Sequence, residues 1–465
     1  MFDRRSILKL TAASPLLFSK QVGASQHLRK HAAGSQPNFI HICADDMRFD
    51  DFYYMSQLRK LIRGSTVFGN HFVPFTVCAP SRASMLTGQH VHNHGVLGNK
   101  KPYGYWRYSE IEDNTLAVWL ANAGYAVSHV GKFINGYSQV GGVNIPPGYS
   151  DWHVLSADGN YYDFTLNDNG QDVTYNSGEY STDVFVQKAL DFIATAPQPY
   201  TLFLWVACPH EPSTPAARDL GTFNNVDMPI GASFNEADMS DKPKPMQKLP
   251  LLTEDQIAEI QTHWRRRQET LQALDRGIAA IVNALTRNSK IDNTHMLFTS
   301  DNGYLQGEHR ADDRKNLCYD EAAKVPLYWR QPGGTENFVM APVLNMDATA
   351  AMVELAGATA GYPLDGRSLV PLLSGDLDDW NTAVLTQCTA ASGVVTRHYR
   401  YVEWFNNQGI ELYDTIRDRA QMQNVAGKPE YAQIQASLAN ALHALQGCAG
   451  PTCSWTGKFK PPPGA

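Results

Sequence analysis

The segment Cys78-Ala79-Pro80-Ser81-Arg82 holds side chains that could carry out chemistry together. If Cys78 begins a helix, Arg82 lies one turn further along the same face. The guanidinium of Arg82 would then reach the group that Cys78 presents. A buried cysteine beside a turn-forming proline would explain Cys78 and Pro80, but it would leave the arginine unexplained.

Further polar residues follow four short apolar runs, each of which has the pattern of a buried strand. They are Asp45 and Asp46 after residues 37–44, Lys132 after residues 125–131, His210 after residues 200–209, and Asp301 with Asn302 after residues 294–300. Open α/β sheets bind ligands outside the carboxyl ends of their strands, so we expect these residues to share one site. The oxygen donors suit a hard divalent cation, and the basic groups suit a sulfuryl or phosphoryl group in transfer.

Each of these positions has an ordinary explanation when taken alone. Asp45-Asp46 could be a turn or a helix N-cap, and Asp301-Asn302-Gly303 is a common turn sequence. Lys132 could be a solvated lysine, and His210 could be a loop residue between two prolines. The combination is what favours a functional site.

With these strand ends, the C-A-P-S-R segment resembles the signature of the type I sulfatases. The resemblance runs from Pro37 to about Ala426. It implies that a formylglycine-generating enzyme, which reads the Pro80 and Arg82 positions, oxidises Cys78 to Cα-formylglycine. The hydrated aldehyde of formylglycine would be the nucleophile.

The resemblance also implies a role for each matching position. Arg82 would stabilise the formylglycine hydrate, Lys132 and Lys315 would bind sulfate, and His210 would protonate the leaving group. The implied metal is Ca²⁺, and Asp301 is in addition a plausible base. The implied metal ligands are Asp45, Asp46, Asp301, Asn302 and the modified Cys78.

Three segments resemble one branch of the family, which contains N-acetylglucosamine-6-sulfatases and some algal and bacterial arylsulfatases. They are residues 131–137, 146–152 and 161–167. Many arylsulfatases carry a histidine where this chain has Ile134, so Asn135 is the candidate hydrogen-bond partner of the formylglycine. The implied substrates are sulfated carbohydrates similar to glucosamine 6-sulfate, or aryl sulfates.

Two other functions remain open from the sequence. The first is a phosphonate monoester or phosphodiester hydrolase of the same superfamily. The second is a catalytically inactive protein that binds sulfated glycans, which would retain the basic residues and lose the nucleophile or the metal ligands. Every such position is intact here.

Charge and hydropathy exclude other classes of partner. The 465 residues carry a formal net charge of −7 and no long basic run, which argues against a nucleic-acid partner. Arg265-Arg266-Arg267 is a short exception, for which we expect a solvated helix face. No apolar run reaches the ~20 residues that span a bilayer, so we expect no stable membrane insertion.

The N-terminus resembles a bacterial twin-arginine export signal, with Arg4-Arg5, a modest apolar stretch over residues 10–18, and Val22-Gly23-Ala24 as a small-residue cleavage site. A disordered tail is the alternative. The signal predicts a periplasmic or secreted protein, in which disulfides are permitted. Of the six cysteines besides Cys78, Cys448 and Cys453 are near enough in sequence to close a small loop.

Strand and helix patterns alternate along the chain, which predicts an α/β fold with a mixed, mostly parallel sheet between helices. The resemblance implies that this fold is alkaline-phosphatase-like. After residue 373 the pattern changes to short strands followed by a helix over residues 429–445, which predicts a small antiparallel sheet. The expected division is an export signal and linker at 1–36, a catalytic domain at 37–373 and a C-terminal α+β subdomain at 374–465. Residues 212–250 lack periodicity and are predicted to form a long surface segment beside His210.

Overall fold

The computed structural model describes residues 36–140, 142–156, 161–176, 178–312, 314–334 and 336–459. Apart from Gln36, the predicted export signal and linker lie outside the described residues. The described chain forms a ten-stranded sheet, a two-stranded sheet and a four-stranded sheet.

The strands are β1 Asn38–Ala44, β2 Thr66–Phe68, β3 His71–Phe72, β4 Ala126–Gly131, β5 Asp151–Leu155, β6 Phe164–Asp168, β7 Gln171–Tyr175, β8 Tyr200–Trp205, β9 Thr294–Ser300, β10 Leu327–Arg330, β11 Asn337–Val339, β12 Val343–Leu344, β13 Ala383–Gln387, β14 Ala391–Thr396, β15 Tyr399–Trp404 and β16 Gly409–Asp414.

The α-helices are α1 Ser56–Ile62, α2 Cys78–Thr87, α3 Val91–His94, α4 Tyr105–Tyr108, α5 Leu116–Asn122, α6 Tyr137–Val140, α7 Ser181–Thr195, α8 Lys244–Gln247, α9 Glu254–Arg287, α10 Asp320–Ala323, α11 Asn345–Ala356, α12 Val370–Leu373 and α13 Ala432–Leu445. Short 3₁₀ turns occupy Asp51–Tyr54, Ile291–Asn293, Phe405–Asn407, Pro429–Tyr431 and Gly450–Cys453. Among the described residues, no helix is both long enough and apolar enough to cross a bilayer.

The large sheet has the strand order β11-β2-β10-β9-β1-β8-β4-β5-β6-β7. Its five central strands, from β9 to β5, run parallel to one another. Antiparallel pairings occur only toward the edges, where β10 joins β9 to β2 and where β6 and β7 follow β5. The predicted mixed, mostly parallel sheet is therefore confirmed.

Both faces of this sheet are covered, and strand β1 shows how. Phe39 and Cys43 belong to one hydrophobic cluster, together with residues of α2, α5 and α11. Ile40 and Ile42 belong to a second cluster, together with residues of α1, α7 and α9. An almost continuously apolar strand such as Asn38–Ala44 is stable only when both of its faces are buried.

Residues 51–62 form two separate helical pieces. A 3₁₀ turn ends at Tyr54, Met55 is extended, and α1 begins at Ser56. The carboxylate of Asp275, on α9, accepts hydrogen bonds from the backbone N–H groups of Gln57 and Leu58 at 2.8–3.0 Å. This long-range cap satisfies the first N–H groups of α1 and explains why a new helix starts there.

The small C-terminal antiparallel sheet is also confirmed, with strands β13 to β16 and helix α13. Ile434, Leu438 and Leu442 recur every four residues along α13 and pack on the sheet. A disulfide joins Cys448 to Cys453 after the helix. The sheet contacts the segment that follows Lys315, because Arg400 pairs with Asp320 at 2.6 Å. The boundary at residue 373 stays a prediction.

The segment from residue 212 to 243 contains neither helix nor strand. It packs on α9, where Arg276 holds Asp219 through two hydrogen bonds of 2.6 and 2.8 Å. The predicted irregular segment is therefore present from residue 212, two residues after His210, to residue 243, but the short helix α8 interrupts the last part of the predicted range, which extended to residue 250.

Candidate active site

The predicted site residues lie at the carboxyl ends of four neighbouring parallel strands. Strands β9, β1, β8 and β4 are adjacent in the sheet and point in the same direction. Asp45 follows β1, Lys132 follows β4, His210 lies five residues beyond β8, and Asp301 follows β9. The structure thus brings these residues to one edge, as the sequence predicted.

Cys78 is the first residue of α2, and its side chain is fully buried. The preceding residue, Val77, is extended, so the helix starts abruptly at the cysteine. The N–H of Ala79 donates to the Oδ1 atom of Asn99 at 2.9 Å. The N-terminus of a helix favours negative charge, which suits a nucleophile that acts on an anion.

Two carboxylates and an imidazole surround the thiol. The Sγ atom of Cys78 lies 3.4 Å from Oδ1 of Asp45 and 3.9 Å from Oδ1 of Asp46. Ligand atoms of Asp45, Asp46, Cys78 and His210 all lie within 4.8 Å of one another. This is the arrangement expected of groups that share one ion.

The ammonium groups of two lysines also lie among the Asp45, Asp46 and Cys78 side chains. The Nζ atom of Lys132 is 2.5 Å from Oδ2 of Asp45. The Nζ atom of Lys315 is 2.9 Å from Sγ of Cys78, and it also pairs with the carboxylate of Asp46. Because each lysine pairs with a carboxylate beside the thiol, both can also approach an anion bound at Cys78.

Arg82 is fully buried one turn after Cys78, and its guanidinium pairs with carboxylates. Its Nε atom donates to Oδ2 of Asp301 at 2.8 Å, and its Nη2 atom is 3.7 Å from Oδ1 of Asp45. Its Cζ atom lies 5.2 Å from the centre of the Trp205 ring. The arginine is therefore held against the two acidic strand ends beside the thiol.

Both carboxylate oxygens of Asp301 accept hydrogen bonds. Oδ1 accepts from the backbone N–H groups of Asp46 at 3.0 Å and Asn302 at 2.8 Å, and Oδ2 accepts from Arg82. These bonds connect the loops after β1 and β9. A carboxylate has about four lone-pair sites, so one remains available to a metal ion or a proton.

The charges around Asp45 and Asp46 stabilise their ionised forms. Burial alone would raise the pKa of Asp45, but Lys132, His210 and Arg82 outweigh burial and lower it. Burial likewise opposes the lowered pKa of Asp46, which Lys315 and His210 produce. Burial raises the pKa of the Cys78 thiol well above its usual value in spite of the two lysines. The unmodified thiol is thus a poor source of thiolate.

His210 lies at the open side of the group, with 29% of its side chain exposed. Its Nδ1 atom is 2.7 Å from the backbone carbonyl oxygen of Glu211, and its Nε2 atom is 3.8 Å from Oδ2 of Asp46. Because a carbonyl oxygen can only accept, Nδ1 carries a proton. Nε2 is then the atom that can exchange a proton with a ligand.

The donor set fits a hard divalent cation. The Oδ1 atom of Asn302 is buried and has no hydrogen-bond partner among the described residues. The Nδ2 atom of the same side chain donates to Oδ1 of Asp46 at 2.6 Å. A buried amide oxygen without a donor is costly, and coordination of a cation would satisfy it.

The contacts of Asn135 leave its predicted role untested. Its side chain is buried, and its backbone carbonyl oxygen accepts a hydrogen bond from the backbone N–H of Tyr105 at 2.8 Å. The neighbouring Ile134 packs into the hydrophobic cluster on the α2 side of the sheet. Asn135 as the hydrogen-bond partner of a modified Cys78 stays a prediction.

Arg267 is a site residue that the sequence analysis placed wrongly on a solvated helix face. The expected solvated helix face is wrong for Arg267, whose side chain is 0% exposed. Its Nη2 atom donates to the carbonyl oxygen of Asp46 at 2.6 Å, and its Nη1 atom donates to that of Pro209 at 3.3 Å. It therefore ties together the loops that carry Asp46 and His210.

The position of Arg267 in the periodic pattern of α9 was the signal that the sequence offered. Trp264 precedes it by three residues and Leu271 follows it by four, and both are buried. An arginine on the buried face of a helix needs hydrogen-bond partners inside the protein. The prediction treated the three arginines as one exposed group and therefore missed the buried position of Arg267.

Comparison with known proteins identifies the family. The family model described as sulfatase matches residues 37–358, which is more than half of the chain. The chain belongs to the sulfatase family. A second model, described as the C-terminal part of N-sulphoglucosamine sulphohydrolase, matches residues 307–447. The prediction that the protein is a sulfatase is confirmed.

Several named sulfatases are similar to this chain in sequence. Human N-acetylglucosamine-6-sulfatase is 28% identical over 98% of this chain and 93% of its own length. An arylsulfatase of Volvox carteri is 29% identical over 93% of this chain and 78% of its own length. An extracellular sulfatase Sulf-1 homologue of Caenorhabditis elegans is 31% identical over 74% of this chain, which spans 50% of that longer protein.

A solved structure shares the alkaline-phosphatase-like fold. It is a protein in complex with its substrate D-glucosamine-2-N,6-O-disulfate, and it has a TM-score of 0.77 at 23% identity. The alignment covers 89% of this chain and 98% of that one. The phosphonate monoester hydrolase of Agrobacterium radiobacter aligns with a TM-score of 0.69 at 19% identity, over 88% of this chain and 95% of its own.

Proposed function

We propose that this sulfatase hydrolyses 6-O-sulfate monoesters of glucosamine-type sugars, with Cys78 as formylglycine and Ca²⁺ in the site. The observation that carries the proposal is the position of the Cys78 thiol. It lies at the N-terminus of a buried helix, within 3.4 Å of Asp45 and 2.9 Å of Lys315. That environment suits a nucleophile that must approach a sulfate anion.

The basic residues would bind and activate the sulfate group. Lys315 contacts Cys78, Lys132 pairs with Asp45 beside it, and Arg82 lies behind the acidic groups. Together they would neutralise the sulfate oxygens and the charge that develops on them in the transition state. Arg82, which donates to Asp301 at 2.8 Å, would keep this partner and reorganise little during the reaction.

The proposed calcium ligands are oxygens that the site already presents. They are Asp45, Asp46, Asn302 and the remaining lone pair of Asp301, together with the modified Cys78. When bound, the cation would act as a Lewis acid toward a sulfate oxygen. The lysines that now pair with Asp45 and Asp46 would then be available to the substrate.

Formylglycine would supply a hydrated aldehyde with two hydroxyls, one to attack sulfur and one to release the sulfate afterwards. The proton acceptor proposed for this chemistry is Asp301. Its three hydrogen bonds leave one lone pair, which would serve the cation or the proton in turn and not both at once. The side chain of Arg82 would hold Asp301 in position.

His210 would protonate the departing alkoxide. Its Nδ1 proton is held by the backbone carbonyl of Glu211, so Nε2 faces the site. The imidazole is partly exposed, which suits contact with a leaving group that arrives from solvent. A sugar alcohol is a poor leaving group and gains more from a general acid than a phenol does.

The sugar substrate is inferred from the relatives. The human, goat and bovine relatives are each described as N-acetylglucosamine-6-sulfatase. The branch-specific segments at residues 131–137, 146–152 and 161–167 point the same way. We further propose export of the protein, which the extracellular sulfatase relatives support. We also propose that a formylglycine-generating enzyme modifies Cys78, because of the C-A-P-S-R segment.

The test compares three substrates with protein whose Cys78 modification has been verified. They are glucosamine 6-sulfate, an aryl sulfate and an aryl phosphodiester, and kcat/KM is measured for each. We expect the sulfated sugar to be hydrolysed, with the aryl sulfate as an incidental substrate. Aryl sulfate turnover without hydrolysis of any sulfated sugar would refute the sugar assignment. Preference for the phosphodiester would point to the phosphonate hydrolase function, and no turnover at all would support a binding protein.

A further inference from the structure

Glu211 carries an exposed carboxylate directly beside the proposed general acid His210. Its Oε1 atom accepts a hydrogen bond from the Tyr304 hydroxyl at 2.6 Å. Glu211 belongs to the loop after β8, and Tyr304 lies two residues beyond Asn302 in the loop after β9. The carboxylate is therefore fixed at the same sheet edge as the site, on its open side.

The negative charge of Glu211 is not balanced by a basic side chain. Among the described residues, no lysine, arginine or histidine forms an ion pair with it. Arg48 pairs with Asp50 and Glu308, and Arg267 lies over the ring of Tyr304 and binds backbone carbonyl groups. The neighbouring residue, His210, has its Nε2 atom 3.8 Å from Oδ2 of Asp46, and the Nε2 atom of His263 is 3.0 Å from the Ser213 hydroxyl.

The two sides of the site therefore differ in charge. Lys315 contacts the thiol, and Lys132 and Arg82 pair with Asp45 beside it, so an anion is expected there. Glu211 is exposed next to the partly exposed His210, on the side from which the leaving group would depart in the proposed function. A carboxylate accepts hydrogen bonds from hydroxyl and ammonium groups, but it repels sulfate and carboxylate.

We propose that Glu211 is a specificity-determining residue that selects a leaving sugar with an unsubstituted amine and disfavours one with a second sulfate. This inference rests on the proposed sugar sulfatase function. The favoured substrate class is thus a 6-O-sulfated glucosamine in its ammonium form. The structurally similar protein described above has a substrate with sulfate on both nitrogen and oxygen, and the carboxylate of Glu211 opposes that second anion here.

The experiment measures kcat/KM at pH 6.5 for glucosamine 6-sulfate, N-acetylglucosamine 6-sulfate and glucosamine 2-N,6-O-disulfate. The wild type should prefer them in that order. Glu211→Gln keeps an acceptor for Tyr304 and removes the charge, so the ratio between the first and third substrates should fall by at least about tenfold. Tyr304→Phe removes the donor that orients the carboxylate and should lower the ratio in part.

The matched control is Glu259→Gln, on the exposed face of α9, which should leave the ratio unchanged. An unaltered ratio in Glu211→Gln, with sulfated sugars still hydrolysed, would overturn the role of Glu211 and leave the proposed function intact. A wild type that favours the disulfated sugar would overturn it as well. If no sulfated sugar is hydrolysed while an aryl sulfate is, the proposed function and this inference both fail.

Discussion

Replacement of Arg267 tests whether a residue outside the reacting group positions the site. In Arg267→Met the carbonyl oxygens of Asp46 and Pro209 lose their donors, and Asp51 loses an ion pair of 3.5 Å. Tyr304 also loses the guanidinium whose Cζ lies 4.7 Å from its ring centre. Methionine fills a similar volume, so the effect should come from the lost polar contacts.

The magnitude follows from these contacts. A hydrogen bond to a charged group contributes about 1.5–3 kcal/mol, and loss of one partner of a buried ion pair costs about 3–5 kcal/mol. These contributions overlap, so we expect Arg267→Met to lower the free energy of unfolding by about 3–5 kcal/mol. Displacement of Asp46 and the loop of His210 by about 1 Å would lower kcat by roughly 100-fold. KM should change much less.

The assay measures kcat and KM for an aryl sulfate and the urea midpoint of each variant, at a temperature where the variant is folded. Arg287→Met is the control, because Arg287 is exposed at the C-terminal end of the same helix. A substitution at an exposed position of this kind should change the free energy of unfolding by no more than about 0.5 kcal/mol. Arg267→Lys should recover part of kcat, since it retains a charged donor. A folded Arg267→Met variant with the kcat of the wild type would refute the positioning argument.

Four further predictions concern the chemistry and stability. Tryptic peptides of active protein should contain Cys78 about 18 Da lighter than a thiol, without the mass gain of sulfenic or sulfinic acid, and full activity with an intact thiol would contradict this. Exhaustive chelation should abolish turnover, Asp45→Ala should do the same, and calcium–oxygen distances should be about 2.3–2.6 Å. His210→Ala should slow esters of poor leaving groups more than those of good ones, and an equal loss across the series would exclude the general-acid role. Acidification from pH 7 to 5 should lower the free energy of unfolding by about 6 kcal/mol. Five buried histidines, protonated only on unfolding, each lose about 2 kcal/mol, and two buried carboxyls each regain about 2 kcal/mol. A flat urea midpoint over this range would contradict the prediction.

The sign of the pH prediction follows from the direction of each shift. Burial lowers the pKa of the five histidines to about 3 or 4. The stability that the neutral imidazoles contribute to the folded state is therefore complete above pH 6.5, and it is lost as the pH falls below that value. Burial raises the pKa of the two carboxyls to about 7. Protonation of these carboxyls in the folded protein therefore increases the free energy of unfolding as the pH falls below 7. The histidines are His41, His71, His90, His94 and His129, and the carboxyls are Glu321 and Asp347.

The strand-end residues could be predicted from sequence because their signal is local. Asp45 and Asp301 each follow a short apolar run directly, and parallel strands bring such ends to one edge. The sequence around Lys315 shows no apolar run that ends at this residue, since Lys315 lies in an irregular segment between β9 and α10. Only the resemblance to a family indicated it, and its contact with Cys78 depends on tertiary folding.

Long-range polar contacts account for most of what the sequence did not reveal. The break between Tyr54 and Ser56 depends on a carboxylate 219 residues away, Asp275. Arg267 reaches Asp46 across 221 residues. Helix periodicity marks both α9 residues as buried, but it does not say which backbone groups they satisfy. Partners of buried charges are set by packing, which a single sequence does not encode locally.

The charge balance of the site explains why a bound cation belongs to the proposed chemistry. Three carboxylates and three basic side chains of the site cancel in formal charge, with His210 left out of the count; they are Asp45, Asp46 and Asp301 with Arg82, Lys132 and Lys315. These six groups alone have little net attraction for a sulfate anion, because each basic group is engaged by a carboxylate. A divalent cation on Asp45 and Asp46 would bring the formal charge to +2 and compete with Lys132 and Lys315 for those oxygens. The lysines could then turn to the sulfate, so metal binding and substrate binding should be mutually reinforcing.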